Sequence, residues 1–255
     1  MLYITGDTHG ERGIFQYAGS AIERNLTAAD TLFVCGDWGY LGRGTEEDNE
    51  FLDFLAKKPY RIAWVDGNHE NFDLLDTYPV ETWCGGKVHI IRRDDDGQPK
   101  IIHLMRGQVF EVEKKKIFTF GGGYSKDKDD VRVPHVNWWP QEMPTDEEMK
   151  EAIRNLERCG NKVDYIVTHA APEDTMNLFY PDHKEEKPLN NFLEWVRESV
   201  EYKHWWFGHL HFNKDLKRNQ TVLWFELRLM KTNEVLYDDE ILPEDVLPML
   251  EKLGL

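Results

Sequence analysis

The chain has 255 residues, with 31 Lys and Arg against 47 Asp and Glu, a formal charge of −16. A surface this anionic repels polyanions, which argues against nonspecific binding to DNA, RNA or acidic membranes and against duplex nucleic acid as a partner. Cys35, Cys84 and Cys159 are too few and too scattered for a disulfide framework or a zinc-thiolate motif, and the length suits one domain over residues 1–255.

The predicted elements begin with a β-rich run over 2–5, which enters Gly6-Asp7-Thr8-His9-Gly10 with no room for a signal peptide. No apolar run approaches the roughly 18 residues of a membrane span, so a soluble cytoplasmic protein is expected. Strands follow over 31–35 and 60–65, separated by a helix over 45–57 that starts at Thr45 and repeats Phe51, Phe54 and Leu55 at helix spacing. This β-α-β-α-β opening implies parallel strands with right-handed crossovers, and ligands of such sheets collect beyond the carboxyl ends of the strands. Four short runs, 88–91, 101–105, 109–112 and 117–120, read as antiparallel strands. A helix over 145–159 has Thr145 and Glu148 as a capping box, Met149, Ile153 and Leu156 as its buried face, and Gly160 as its stop. Strands over 163–167 and 204–207 flank a helix from Pro188 to about Val200, which repeats Leu189, Phe192, Leu193 and Val196. Last come strands at 221–227 and 234–237 and an acidic tail interrupted by Pro243 and Pro248.

Chemistry gathers just past the strand ends. After Asp7 and His9 come Gly36-Asp37, Gly67-Asn68-His69-Glu70, Thr168-His169 and Gly208-His209-Leu210-His211. Carboxylate, amide and imidazole groups in this order are what a two-metal site needs. Side chains two apart on an extended segment point the same way, so Asp7 with His9, and His209 with His211, can each present a pair to one place. Mixed imidazole and oxygen donors favour Mn, Fe, Zn, Ni or Co over Ca. Each motif alone also has a plain structural reading: glycine beside Asp makes turns, and a lone histidine such as His169 is usually part of a core.

Together the patterns D-x-H, G-D, G-N-H-[DE], a lone His and G-H-x-H, spread from Asp7 to His211, resemble the calcineurin-like metallophosphoesterases, in particular a bacterial and phage branch. The resemblance implies an α/β fold of two stacked mixed β-sheets flanked by helices, a four-layer α/β/β/α sandwich. It implies that Asp7, His9 and His211 hold one divalent transition-metal ion and that Asn68, His169 and His209 hold a second. Asp37 would bridge the two, which lie about 3.5–4 Å apart in such sites. It further implies that a metal-activated water attacks phosphorus and that His69 protonates the departing alkoxide, with Glu70 orienting the loop or the imidazole. One departure stands out. Many relatives read G-D-x-x-D, where the second acid supports the catalytic histidine, whereas Tyr40 occupies that place in Gly36-Asp37-Trp38-Gly39-Tyr40.

Outside the motifs, His89, His103, His135, His183 and His204 read as structural. The stretch from Gly121-Gly122-Gly123-Tyr124-Ser125 to Trp138-Trp139-Pro140 offers Tyr124, Arg132 and two tryptophans as a substrate rim, or tryptophans that simply pack on the core. Arg12 and Arg43 lie close in sequence to the ligand motifs, as phosphate contacts or as ordinary surface residues. Lys114-Lys115-Lys116 reads as a solvated turn or edge. The expected function is dinuclear metal-dependent hydrolysis of phosphomonoesters or phosphodiesters, the substrate a phosphorylated small molecule or nucleotide. A phosphoprotein phosphatase and a binding protein without turnover are the alternatives.

Overall fold

The computed structural model describes residues 1–17, 20–128 and 130–237; the acidic tail with Pro243 and Pro248 lies outside them. The first half runs Leu2–Thr5 (β1), Gly13–Gln16 (α1), Ala21–Asn25 (α2), Thr31–Val34 (β2), Glu46–Ala56 (α3), Arg61–Trp64 (β3) and Phe72–Leu75 (α4). It continues through Val80–Trp83 (β4), Gly86–Arg93 (β5), Pro99–Leu104 (β6), Gln108–Val112 (β7) and Lys115–Phe120 (β8). The second half runs Asp146–Arg158 (α5), Tyr165–Thr168 (β9), Glu173–Phe179 (α6), Lys187–Ser199 (α7), His204–Phe207 (β10), Lys214–Leu216 (β11), Gln220–Val222 (β12), Leu227–Leu229 (β13) and Glu234–Tyr237 (β14).

Two mixed sheets result, ordered β14-β13-β1-β2-β3-β6-β5-β4 and β11-β12-β10-β9-β8-β7. Each has a parallel centre, β1-β2-β3-β6 in one and β8-β9-β10-β12 in the other, with antiparallel strands at its edges. The strands predicted as antiparallel do pair that way, β5 with β6 and β7 with β8. In addition β6 runs parallel to β3 and β8 parallel to β9, because the chain changes sheet between β6 and β7.

Three apolar clusters define the layers. Ile4, Phe33, Val65 and Ile102 of the first sheet meet Ile117, Val167 and Trp206 of the second in the middle. The outer face of the first sheet, with Leu32, Ile62 and Trp64, is covered by Phe15, Ile22, Phe51 and Leu55 from α1, α2 and α3. Phe118, Ile166 and Trp205 of the second sheet are covered by Leu156, Met176, Phe192 and Val196 from α5, α6 and α7. Each such fully buried large side chain contributes on the order of 1.5–3 kcal/mol. The helix starts follow local rules: Thr45 and Thr145 both accept from an N3 amide whose own side chain reaches back, making capping boxes. On α5 Ala152 and Leu156 are buried while Met149 and Ile153 are half-buried, so the apolar face is rotated from its predicted position.

The predicted strand over 221–227 is two strands. Its first part is β12 of the second sheet and its last residue opens β13 of the first, with the chain crossing between sheets at 223–226. Leu223 hydrogen-bonds back to Phe207 and the Trp224 N–H donates to Asn213 Oδ1, so the crossover satisfies its backbone locally. A run of β-formers buried in both layers carries no mark of where it changes partners.

The five histidines outside the motifs are engaged structurally: His103 sits between Asp66 and His89, His183 bonds Glu173, His204 bonds Thr221 and His135 meets Asp73. Burial depresses the His89 pKa to about 4, with His103 adding to the effect. The unfolded chain near 6.5 therefore binds the proton first, so the His89 contribution is complete above pH 6.5 and is lost as pH falls towards 4. Urea midpoints measured from pH 7.5 to 4.5 should fall in the wild type and fall less in His89→Gln. Over that range the wild type should lose on the order of 2 kcal/mol more than the variant; equal losses would contradict this assignment.

Candidate metal centre

Asp7, Asp37 and Asn68 follow β1, β2 and β3 of the first sheet, and His169 and His209 follow β9 and β10 of the second. Parallel strands deliver these groups to the same edge of each sheet, and the two edges meet. The loops are stitched to one another: His9 N–H donates to Asp37 O at 2.7 Å, His69 N–H to Asp37 Oδ1 at 2.8 Å, and His209 N–H to Asp7 Oδ2 at 2.8 Å. Glycine at 208 is required by this closeness, because a Cβ there would lie 1.8 Å from Asp7 Oδ1. The backbone differs from the extended pairs that the spacing suggested. His9, Asp37, His209 and His211 have φ of 45°, 43°, 67° and 55°, so left-handed turns aim these side chains. Such a conformation costs roughly 1 kcal/mol or more for each residue with a Cβ, and the surrounding hydrogen bonds hold it.

Asp7, His9, Asp37 and His211 each bring one donor atom to a common point, all within 4.8 Å of one another. His9 Nε2 and His211 Nε2 face each other at 2.9 Å, and His211 Nε2 lies 3.4 Å from Asp7 Oδ2. Both carboxylates are buried, yet Asp7 Oδ1 and Asp37 Oδ2 have no hydrogen-bond partner. A buried carboxylate oxygen without a donor is strongly disfavoured, and a divalent cation satisfies two such oxygens and two imidazoles at once. These residues fit a metal. Although burial opposes it, the Asp37 carboxyl is held well below the usual range by His169, His69 and His9.

A second set of donors stands beside the first. His169 Nδ1–H donates to Cys35 O at 2.8 Å, leaving the lone pair of neutral imidazole on Nε2. Asn68 Nδ2 donates to Ser125 Oγ at 3.1 Å, and that hydroxyl donates to Glu142 Oε2 at 2.6 Å, which turns Asn68 Oδ1 towards His169 Nε2 at 3.0 Å. With the ring neutral, both atoms present lone pairs to one place, as two ligands of the same cation do. A Cβ on Gly123 would sit 3.0 Å from His169 Cδ2, 3.2 Å from Asn68 Oδ1 and 3.3 Å from His209 Cε1, so all three side chains converge on that backbone.

The sequence profile of the calcineurin-like phosphoesterases matches residues 2–213. The chain belongs to that family. Membership implies metal-dependent hydrolysis of phosphoesters, and the donor cluster is a candidate place for the metal. Among solved structures it is similar to TT1561 of Thermus thermophilus, with a TM-score of 0.54 and 9% identity over 92% of this chain and 96% of that one. At that identity the likeness shows the fold. It is also similar to phosphopantetheinyl hydrolase from Mycobacterium tuberculosis, with a TM-score of 0.41 and 17% identity over 88% and 87% of the two chains. No curated protein matches. No described helix is long and apolar enough to cross a membrane.

The chain has a cavity of about 240 Å³ beside the donors, lined in part by Asp37, Asn68, His69, Tyr124, Lys126, Arg132, Tyr180, His209 and His211. His69 is half-buried at its edge, and burial lowers its pKa, with Asp37 opposing. Tyr40 does not take over the role of the absent acid. It is buried among Phe15, Trp38 and Phe51, and its hydroxyl donates to Glu11 O at 2.5 Å. What faces His69 instead is Arg132, whose two terminal nitrogens lie 3.2 and 3.4 Å from the ring nitrogens and whose Nε donates to Asp127 at 2.8 Å. Glu70 ties two loops together by accepting from Trp38 N–H. Tyr124 and Arg132 thus line the cavity, whereas Arg12 pairs with Glu47 at 2.6 Å and Arg43 is exposed, and neither lines it. Trp139 is in the core under the first sheet, and Trp138 is half-buried without lining the cavity.

Glu186 was not among the residues singled out from sequence. It is 2% exposed, and its Oε2 lies 2.8 Å from His209 Nε2 and accepts from Tyr124 N–H at 2.9 Å, while Asn190 donates to Oε1. This carboxylate fixes the ring so that Nδ1 of His209 is the nitrogen free to ligate. Burial opposes the charged form of both groups, but His209 holds the Glu186 carboxyl below the usual range and Glu186 in turn raises the pKa of His209. In sequence, His183-Lys184-Glu185-Glu186-Lys187 looks like a solvated charge run, and no signal separates Glu186 from Glu185. Glu186→Gln should weaken metal binding by about 10–100-fold, read by competition with a chelating indicator. Unchanged affinity would remove Glu186 from the centre.

Proposed function

We propose that the chain is a dinuclear metal-dependent phosphoesterase acting on phosphomonoesters or phosphodiesters of a small molecule or nucleotide. Two divalent transition-metal ions from the group Mn, Fe, Zn, Ni and Co are its cofactors. The observation that carries this reading is the place of Asp37. Its Oδ1 lies 3.6 Å from His169 Nε2 and its Oδ2 3.8 Å from His9 Nε2, so each oxygen faces one of the two donor sets. In this assignment Asp7, His9 and His211 hold one ion, Asn68, His169 and His209 the other, and Asp37 touches both. When bound, the ions supply a Lewis-acidic seat for the phosphoryl oxygens and a water acidic enough to attack phosphorus at neutral pH.

The protein's own part is positioning and proton transfer. His69, 4.0 Å from Asp37 Oδ2 and exposed to the cavity, gives a proton to the leaving oxygen. Arg132 beside it offers its guanidinium to a phosphoryl oxygen and limits where the imidazole can swing. The open cavity of about 240 Å³ has the size of a small phosphorylated molecule.

The test is hydrolysis of p-nitrophenyl phosphate and bis(p-nitrophenyl) phosphate by manganese-loaded protein. Turnover should vanish with chelator, and His69→Asn should lower kcat by about 10²–10⁴-fold while retaining metal. No turnover with any of the five metals would leave a binding protein with this fold, and faster turnover of phosphopeptides would make it a phosphoprotein phosphatase.

A further inference from the structure

We infer that the cavity beside the metal centre takes a phosphoester whose leaving alcohol carries a second phosphate, and that Lys126 binds that phosphate. This rests on the phosphoesterase reading above. The lining divides into two chemistries: Asp37, Asn68, His209 and His211 on the metal side, and Tyr124, Lys126, Arg132 and Tyr180 on the other. A volume of about 240 Å³ equals roughly eight waters in the liquid, which leaves room beyond one phosphate.

The cations on the far side are not equivalent. Arg132 is partly neutralised by Asp127 at 2.8 Å and lies against His69. Lys126 has no carboxylate within ion-pair distance among the described residues, although the chain carries 47 Asp and Glu. Its Nζ sits 3.5 Å from the centroid of the Tyr180 ring, held over an aromatic face at the pocket wall. Burial lowers its pKa, and Glu186 is the group that opposes this, yet both oxygens of Glu186 are already engaged by His209, the Tyr124 N–H and Asn190. Lys126 is exposed to solvent, so an anion arriving with the substrate displaces only water from its ammonium. Lys128 lies 4.9 Å from the ring of Tyr124, a lining residue, and adds positive potential on this side of the pocket, which suits a doubly charged phosphate.

The reaction balances without a further reactant. Water's oxygen forms the new bond to the scissile phosphorus, the bond from phosphorus to the alcohol oxygen breaks, and a proton ends on that oxygen. The second phosphate departs unchanged on the alcohol.

Adenosine 3′-phosphate and adenosine 3′,5′-bisphosphate are the probes, since they share the 3′ ester and differ in one phosphate. Binding to the manganese-loaded full chain is measured by calorimetry in a His69→Asn background, so that turnover does not consume the ligand. The bisphosphate should bind about tenfold more tightly, Lys126→Ala should remove most of that preference, and Lys126→Arg should keep most of it. Equal affinity for the two probes, or a preference undiminished in Lys126→Ala, would overturn the inference. The two proposals fail separately: a Lys126-dependent preference without hydrolysis by the unmutated chain sinks the enzyme reading alone, and hydrolysis without the preference sinks the second phosphate alone.

Discussion

Asp37→Asn should lower phosphoesterase turnover by roughly three orders of magnitude, the consequence of losing about 4 kcal/mol of transition-state stabilisation. Asparagine is the informative replacement because it separates two duties of the carboxylate. The amide oxygen can still accept the His69 N–H, which Asp37 Oδ1 accepts at 2.8 Å, so the loop bearing Asn68 and His69 stays in place. The negative charge is lost, and an NH₂ group comes to stand where Oδ2 is buried without a hydrogen-bond partner. An NH₂ cannot ligate a cation and repels it. Manganese content measured by mass spectrometry should therefore fall below about half that of the wild type, while the far-ultraviolet circular dichroism is unchanged. Wild-type metal content combined with wild-type turnover would show that Asp37 is not shared between two ions.

That Asp37 could be singled out at all reflects how punctuated this chain is. Glycine stands before the acid at Asp7 and Asp37 and before Asn68 and His209, because the backbone must pass close to another loop there, as Gly208 does against Asp7. Short apolar strands lead into each motif, and parallel strands send their ends the same way, so the spacing permits a cluster, while it is the resemblance to the calcineurin-like phosphoesterases that singles out Asp7, His9, Asp37, Asn68, His169, His209 and His211. The capped starts of α3 and α5 were readable for the same local reason. What stayed hidden depends on partners distant in sequence. Glu186 acquires its meaning from His209, and Arg132 from His69, contacts that local patterns do not encode. The left-handed backbone at four of these residues is likewise imposed by tertiary bonds, and no glycine marks it. Tyr40 illustrates the converse. It stands at the position of a usual acid, but an aromatic side chain there turns into the core under α3, and the space beside His69 is filled from another loop.

That other loop depends on a buried ion pair whose disruption should be the largest stability change in the protein. Asp66, two residues before Asn68, accepts from Arg106 Nε at 2.8 Å, Arg106 Nη2 at 2.6 Å and His103 Nε2 at 3.1 Å. Arg106 also donates to Gln141 O at 2.7 Å and Glu142 O at 3.2 Å, so one guanidinium joins the start of the Asn68 loop to the segment that returns towards α5. Both side chains are buried, and Arg106, opposing the burial, holds the Asp66 carboxyl well below its usual range. Removing one partner of such a pair leaves a desolvated charge and two unpaired carbonyls, whereas removing both does not. Arg106→Met is thus expected to cost about 3–5 kcal/mol, seen as a fall in Tm of roughly 10 °C. Asp66→Asn should cost less, because Arg106 keeps both carbonyls and has Glu148 at 3.5 Å. The double variant should recover part of the Arg106→Met loss, since its buried amide replaces a buried charge. Strictly additive losses in that cycle would mean that the two side chains stabilise the loop independently, and the account of Asp66 and Arg106 as one coupled unit would fail.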